Sequence, residues 1–261
     1  MKMTSQTGFL WRVATARLPT KWGMFHATGF EREFANGIRR VETALAIVMG
    51  DLTLDAPLLR IHSQCFTGEA LGSLRCDCGD QLSMAMQTIA EEGRGLVIYE
   101  YQEGRGIGLM AKLQAYELQD VGIDTVEANH ALGFKADCRD FSLSAAILGD
   151  LGVSRVRLLT NNPHKVRALL DADIEIVARI PCEAVPTSYS LSYLLTKQER
   201  MGHALSLPHR HGRGRTLALR SAASFNPSQR LSASDIFGSH GGDQKPAFDA
   251  ARQTRGIDAQ I

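Results

Sequence analysis

The sequence predicts an α/β fold, a layered α/β/α arrangement of a mixed β-sheet with helices on its faces, followed by a disordered C-terminal tail. Up to about residue 205, short apolar runs typical of buried strands alternate with longer segments of helical periodicity. The helical segments end at or near glycines, as C-terminal caps require. Such alternation is typical of helices packed on a β-sheet.

Individual elements follow from these patterns. Helix 81–92 ends at Gly93 and helix 109–119 ends before Gly122, while Asn162 and Pro163 form a cap and first position for a helix after residue 162. The segment from 8 to 60 has more β-like patterns and is expected to complete the sheet. Buried strands are predicted at residues 44–49, 95–100, 156–159 and 174–178.

Composition predicts a cytoplasmic enzyme without identifying it. The chain has 261 residues, 44% of them hydrophobic and 22% charged, with a formal charge of +1, which gives no general reason to expect nucleic acid or a membrane as partner. Apolar runs of about 18 residues are absent, and the start lacks the apolar segment of a secretory signal. Five cysteines, two of them separated by one residue, suit a reducing compartment better than a disulfide framework.

The domain organisation is expected to change near residue 205. We predict a flexible N-terminus over residues 1–9, a catalytic domain over 10–205 and a basic, disordered tail over 206–261. From 209 to 261 seven Arg and one Lys stand against four Asp, among scattered apolar residues without a period. A weak electrostatic contact of this tail with RNA or a partner protein is the alternative interpretation.

Three cysteines indicate a metal site. In an extended segment, Cys76 and Cys78 would direct both sulfurs to one side, and Cys65 supplies a third ligand from upstream. Structural zinc sites close with four protein ligands, whereas catalytic sites keep one position for water. The leading interpretation is therefore a catalytic zinc held by three cysteines. Three buried free thiols, or a structural zinc closed by His62, are the alternatives.

A glycine-rich turn is a candidate anion site. Residues 102–108, Gln-Glu-Gly-Arg-Gly-Ile-Gly, join the strand ending at Glu100 to the helix beginning near Leu109. Alternate glycines permit a sharp turn, a helix N-terminus attracts anions, and Arg105 can bind phosphate oxygens with two hydrogen bonds. The turn is neither a Walker A loop nor a Rossmann fingerprint, and an ordinary strand-to-helix connection is the alternative.

Two further polar clusters could likewise be either functional sites or ordinary structural features. Lys165 lies in the first turn of the helix after Pro163, where it could reach the same anion, although the capping pattern itself is common. Asp137 and Arg139 lie two residues apart and could form a simple surface ion pair.

In this order, the motifs resemble the GTP cyclohydrolase II family. The resemblance covers residues 10 to about 205, and the cysteine and Gln-Glu-Gly-Arg blocks are its most specific parts. It is carried by His62-Ser63, Cys65, Thr67-Gly68, the 73–79 block Ser-Leu-Arg-Cys-Asp-Cys-Gly, residues 102–109, 124–129, 132–134, 139–141, 158–163, Thr196-Lys197 and Met201-Gly-His203.

The resemblance implies an activity and its cofactors. The family opens the guanine imidazole ring of GTP, releasing formate and pyrophosphate and giving 2,5-diamino-6-(5-phosphoribosylamino)pyrimidin-4(3H)-one, the first step of riboflavin synthesis. It implies Zn²⁺ on Cys65, Cys76 and Cys78, supplying hydroxide for attack on C8, Mg²⁺ on the GTP phosphates, and a homodimer.

The resemblance also assigns site residues. Asp137 aligns with the family's base, Arg139 with a proposed nucleophile toward the α-phosphate, and Tyr116 with a tyrosine of the hydrolysing members. A guanidinium stays protonated at neutral pH, so binding the α-phosphate is the physically easier role for Arg139, and a core tyrosine is the alternative for Tyr116. The implied substrate-binding residues are Arg60, Ile61, His62, Ser63, Gln64, Gln81, Glu103, Gly104, Arg105, Thr125, Thr160 and Lys165, of which Gln81 has donors and acceptors suited to the guanine edge.

The chain departs from the family pattern at a few positions. Gln64 stands where Glu is expected, and Glu100-Tyr101 precede Gln102 where an arginine is expected next to the glutamine. Cys138 and Cys182 are expected to be core thiols. The departures support one alternative, the same chemistry in a secondary-metabolite pathway, pteridine-like or azapteridine. Another alternative is a non-catalytic zinc module that binds nucleotide or RNA, with the basic tail as its point of contact.

Overall fold

The computed structural model describes residues 8–33 and 41–207. The predicted tail lies outside the described residues except for residues 206 and 207, and so do residues 1–7 of the predicted flexible N-terminus. Phe9 is the first residue of the first strand. Within the described part, no helix has both the length and the apolar character needed to cross a bilayer.

A seven-stranded mixed sheet forms the centre of the described part, in the order β1-β2-β3-β5-β4-β6-β7. Three neighbouring pairs are antiparallel: β1 with β2, β2 with β3, and β3 with β5. The strands β5, β4, β6 and β7 run parallel to one another. The predicted mixed sheet is confirmed, and the β-rich segment completes it. The strands are β1 Phe9–Thr20, β2 Gly23–Glu33, β3 Val41–Met49, β4 Leu58–Ser63, β5 Gly95–Glu100, β6 Arg155–Leu159 and β7 Glu175–Ile180.

The predicted helices are confirmed as α2, α3 and α6. Gly93 ends α2 in the left-handed conformation, with φ of 72°. The Asn162 side chain accepts a hydrogen bond from the backbone N–H of His164 at 2.9 Å, so the predicted cap of α6 is present. The helices are α1 Phe66–Glu69, α2 Cys78–Glu92, α3 Leu109–Asp120, α4 Thr125–Ala131, α5 Ser142–Asp150, α6 Pro163–Leu170 and α7 Leu191–Met201.

Apolar side chains alternate between the two faces of the central strands, so the sheet has a core on each face. Ile61 and Ile98 belong to the cluster that includes Leu148 of α5. Leu58 and Val97 pack instead with the cluster that contains Ile89 of α2. The helices therefore cover both faces, as the layered fold requires.

The ends of the parallel strands position the candidate site. Ser63 of β4 lies beside Glu100 of β5, and β6 follows on the other side of β4. Because parallel strands end at one edge of a sheet, the chain segments after β4, β5 and β6 meet there. They carry Cys65, the glycine-rich turn and Thr160, respectively.

Candidate active site and metal centre

The predicted cysteines converge on one point. The Sγ atoms of Cys65, Cys76 and Cys78 lie within 4.8 Å of one another, with 3.6 Å between those of Cys65 and Cys76. In tetrahedral zinc–thiolate sites, Zn–S bonds of about 2.3 Å separate the sulfurs by about 3.8 Å. The donor set therefore fits a zinc ion.

Cys76 and Cys78 come together through a turn and not through the extended segment that the sequence predicts. Asp77 has φ of −100° and ψ of 12°, and Cys78 is the first residue of α2, so the Cys-x-Cys segment is not extended. A turn into the helix brings the two sulfurs together. Gly68 permits the close approach of α1, because a Cβ there would lie 2.9 Å from the Cys76 sulfur.

His62 does not close the metal site. Its Nε2 lies 2.9 Å from Glu69 Oε1, and the same oxygen accepts the backbone N–H of Cys65 at 2.7 Å. Among the described residues, the only group of three or more candidate metal ligands is the cysteine group. This geometry therefore does not support a structural zinc closed by His62.

The electrostatic environment of the three cysteine sulfurs favours a bound cation. Hydrogen bonds from the other two thiols, aided by the ammonium of Lys112 at 3.1 Å, hold the pKa of Cys65 far below its ordinary value. The hydrogen bond to Cys65 conversely raises the pKa of Cys76 to about 11. Without a cation the group thus favours one thiolate among three sulfurs. A bound metal would displace the remaining protons.

Glu103 anchors the glycine-rich turn to the metal centre. One carboxylate oxygen accepts the backbone N–H of Phe66 at 2.6 Å, and the other accepts Lys112 Nζ at 2.8 Å. The side chain is buried, and both of its oxygens have protein partners. The Glu103 carboxylate therefore stabilises the segment after β4 that carries Cys65.

Arg105 occupies a strained position in the same turn. Its φ is 61°, in the left-handed region, and both terminal guanidinium nitrogens are buried without a hydrogen-bond partner among the described residues, with the Tyr193 ring beside the guanidinium. The Cys138 backbone N–H donates to its carbonyl at 3.0 Å, which fixes the turn against residues 137–139. Strain together with unpartnered cationic donors is typical of a ligand-binding position.

Asp137 and Arg139 form a two-point ion pair. Arg139 Nε donates to Asp137 Oδ1 at 2.9 Å and Nη2 donates to Oδ2 at 2.6 Å. Burial alone would raise the pKa of Asp137, but the hydrogen bonds and charge of Arg139 outweigh it and lower that pKa. Burial likewise opposes the charge of Arg139, yet Asp137 raises its pKa. Both groups are charged at neutral pH.

Two cavities adjoin at this edge of the sheet. The cysteine-side cavity contains the three metal-ligand candidates and the predicted residues Gln64, Glu103, Gly104, Tyr116 and Thr125. The cationic cavity is lined by Arg60, His62, Gln81, Thr160, Lys165, Lys197 and His203, among others. Both include Ser63, Cys78, Arg105, Arg139 and Tyr193, so one extended ligand could occupy both.

Asp137 lines neither cavity, and two other predicted residues, Ile61 and Gln81, have internal contacts. The Ile61 side chain is fully buried in the core, and its carbonyl accepts Lys165 Nζ at 2.8 Å. The amide of Gln81 is engaged at both ends, by Arg60 Nη2 at 2.5 Å and by Asp77 Oδ2 at 2.6 Å. Its availability to a guanine edge thus requires rearrangement.

The structure also adds residues to the site and corrects one expectation. Cys182 is buried as expected, whereas Cys138 is exposed, because its backbone rather than its side chain packs on the turn of Arg105. Lys112 and Asn129 line the cysteine-side cavity, and Tyr193, Lys197 and His203 come from α7 and the residue after Gly202. The motifs that carry the family resemblance include Asn129, Lys197 and His203, but the sequence assigned no role to these three residues.

A mixed α/β sheet whose parallel strands end at three clustered cysteines and a lysine- and arginine-lined cavity is typical of metal-dependent enzymes with anionic substrates. The family model described as GTP cyclohydrolase II matches residues 11–181. The chain belongs to the GTP cyclohydrolase II family. The predicted resemblance and the prediction of an enzyme of this family are confirmed.

Curated relatives agree with this assignment. The GTP cyclohydrolase-2 of Shewanella amazonensis is 53% identical over 198 residues, which cover 76% of this chain and 94% of the relative. Those of Yersinia pseudotuberculosis and Escherichia coli strain K12 are 55% and 56% identical over 196 residues, covering 75% of this chain and 97% of each relative.

Proposed function

We propose that this protein is a GTP cyclohydrolase II that opens the imidazole ring of GTP and releases formate and pyrophosphate. Its organic product is 2,5-diamino-6-(5-phosphoribosylamino)pyrimidin-4(3H)-one, the first intermediate of riboflavin synthesis. The observation that carries the proposal is the junction of the two cavities, where a cysteine metal centre adjoins a cluster of cations.

The chemistry of the two cavities supports one orientation of the nucleotide. Ile107, Ala115 and Tyr116 give the cysteine-side cavity apolar surface suited to a purine. The cationic cavity carries three arginines and two lysines, which suit a triphosphate with about four negative charges. Burial lowers the pKa of Lys165 well below its ordinary value, and a bound phosphate would favour its charged form. Arg105 and Arg139 line both, a suitable position for contact with the α-phosphate.

Cys65, Cys76 and Cys78 would hold the zinc ion, which when bound activates water for hydrolysis at neutral pH. Tyr116 has the chemistry to orient a water molecule or the formyl group. Burial raises its pKa, so the phenol remains a hydrogen-bond donor at neutral pH. Its hydroxyl lies 3.4 Å from Thr67 Oγ1, and Lys112 lies over its ring.

The ion pair supports a phosphate-binding role for Arg139. Because its pKa is raised, the guanidinium is a poor nucleophile, and Asp137 holds its planar group in a fixed direction. Asp137 can serve as a base only when Arg139 turns toward phosphate and releases the carboxylate. Substrate binding would then both position the α-phosphate and raise the basicity of Asp137.

Further parts of the proposal come from the family. Mg²⁺ would arrive on the phosphates of GTP, and the chain would form a homodimer in the cytoplasm. The twelve predicted substrate-binding residues remain proposals, and Ile61, with its buried side chain, could contribute only through its backbone.

The test is incubation of the purified zinc-loaded protein with GTP and Mg²⁺, measuring formate, pyrophosphate and the product mass. We expect equal amounts of formate and pyrophosphate, with turnover abolished in Cys76→Ser, which also loses zinc, and reduced about 100-fold or more in Asp137→Ala. Cys138→Ser is the matched control for zinc content, because that thiol is exposed and outside the cysteine group.

Other outcomes separate the alternatives. Pyrophosphate with a retained formyl group would contradict the proposed role of Tyr116. GTP binding to the zinc-loaded protein without turnover would instead indicate a nucleotide-binding module. Gln64 lines the cysteine-side cavity and is the observation that favours a secondary-metabolite pathway, which neighbouring genes would identify.

A further inference from the structure

The segment that follows α7 presents a histidine to the cationic cavity. Gly202 ends the helix in the left-handed conformation, and the backbone N–H of His203 donates to the Lys197 carbonyl at 3.1 Å. The next residue, Ala204, donates to the Asn161 carbonyl at 2.9 Å. The backbone is thus held on both sides of His203, and its imidazole forms part of the cavity wall.

The imidazole has an unmet hydrogen bond. Its Nδ1 is buried without a partner among the residues that the structure describes. Burial, and then the positive charges of Lys197, Arg139, Arg105 and Lys165, lower the pKa of His203 to about 3. The ring is therefore neutral at physiological pH and has one N–H to donate, while Nδ1 has no hydrogen-bond partner among the described residues.

Other unpartnered donors share the same cavity. In the described part of the chain, the buried donors without hydrogen-bond partners include Arg60 Nε, both terminal nitrogens of Arg105, and Asn162 Nδ2. All belong to residues that line the cationic cavity. Buried polar groups normally find partners, so a surplus of donors indicates a ligand rich in acceptor oxygens.

Lys197 keeps the wall positively charged. Its ammonium donates to Asp77 at 2.8 Å and lies 4.3 Å from the centre of the Tyr193 ring. Asp77 stands between Cys76 and Cys78, so this pair connects α7 to the metal-centre loop. The family match ends at residue 181, before α7, and the cavity wall is incomplete without it.

We propose that His203 is a substrate-binding residue whose imidazole N–H donates a hydrogen bond to a non-bridging oxygen of the substrate's polyphosphate. This inference rests on the proposed function, because it takes the cationic cavity as the triphosphate site. It adds a residue outside the predicted set, contributed by the chain after α7.

The experiment compares wild-type protein with His203→Ala and His203→Asn, with exposed His130→Ala as the matched control. Zinc content and thermal unfolding establish that each variant folds. The probes are GTP in steady-state kinetics and inorganic tripolyphosphate with Mg²⁺ in calorimetry. We expect His203→Ala to raise the KM for GTP and the Kd for tripolyphosphate about tenfold, with kcat within about twofold.

The asparagine variant identifies the nitrogen. Its amide lies close to the position of Nδ1, so we expect it to restore part of the lost affinity, while His130→Ala matches wild type. Should both His203 variants fail to fold, the wild-type histidine ¹H and ¹⁵N resonances provide the test. Those of His203 must shift when tripolyphosphate is added.

The outcomes separate this inference from the proposed function. Unchanged KM and tripolyphosphate affinity in His203→Ala, or no shift of the His203 resonances, would overturn the inference even if GTP is hydrolysed. Wild-type protein that binds tripolyphosphate in a His203-dependent manner without hydrolysing GTP would support the polyphosphate site and overturn the proposed activity.

Discussion

Glu100, one of the departures from the family pattern, is a buried residue with hydrogen-bond partners inside the protein. It lies at the end of β5, almost completely buried, and accepts hydrogen bonds from Ser144 Oγ and Gln102 Nε2, both at 2.7 Å. It lines neither the cysteine-side nor the cationic cavity. Burial raises its pKa to about 7, although Lys165 and Arg139 oppose the shift. We therefore expect Glu100 to affect the stability of the fold rather than the binding of substrate.

We expect Glu100→Gln to stabilise the protein at pH 8 but not at pH 4. An acid whose folded pKa exceeds its unfolded value stabilises the fold below the unfolded pKa, and this contribution is lost as pH rises through about 7. Removing the buried charge should therefore add about 1–3 kcal/mol at pH 8. Urea unfolding at both pH values measures this. Exposed Glu117→Gln is the control, and an equal change in both variants would contradict the assignment.

The cysteine cluster and the position of Arg105 in a glycine-rich turn could be predicted from the sequence, because spacing and residue chemistry carry that information. It could not show that Asp77 and Arg60 already engage the amide of Gln81. Those partners come from different elements, and their contacts depend on how the sheet and α2 pack. Exposure of Cys138 was missed for the same reason.

At the scale of elements, the turn Glu103–Gly106 connects β5 to the site. Gly106 has φ of 88°, and a Cβ there would lie 3.0 Å from both the carbonyl carbon and the oxygen of Cys138. A side chain would therefore push the turn away from Asp137 and Arg139. The glycine is required by close approach as well as by its backbone conformation.

We expect Gly106→Ala to destabilise the protein by about 1–2 kcal/mol more than Gly133→Ala, and to raise the KM for GTP. Gly133 is a matched control, since its φ is 81° but a Cβ there would meet nothing within 4 Å. Both substitutions share the strain of a positive φ, so the difference reports the clash. Chemical unfolding and steady-state kinetics measure the two effects, and equal values for the variants would show that the turn tolerates the side chain.

At the scale of the whole molecule, α7 belongs to the catalytic unit. Leu194 and Leu195 are buried, and Lys197 forms its ion pair with Asp77. The predicted domain boundary near residue 205 remains a proposal.

We expect a chain that ends at Leu207 to keep its zinc, its unfolding temperature and its turnover of GTP. A chain that ends at residue 190 should lose stability and zinc, because it lacks the buried leucines and the partner of Asp77. Zinc analysis, thermal unfolding and formate release compare the two with the full chain. Lower turnover in the longer truncation alone would assign residues 208–261 a role in the reaction.

The sequence by itself determined the local elements and the three cysteines that are the candidate metal ligands. Strand 95–100, the glycine end of α2 and the Asn162 cap depend on neighbouring residues, and the cysteine spacing and glycine-rich turn indicated the family. Tertiary structure alone decided which groups meet. Placing β4 between β5 and β6 brings three distant loops to one edge, and α7 and the segment after it add Lys197 and His203 to their cavity. Those contacts depend on strand order and helix packing, which local propensity does not encode.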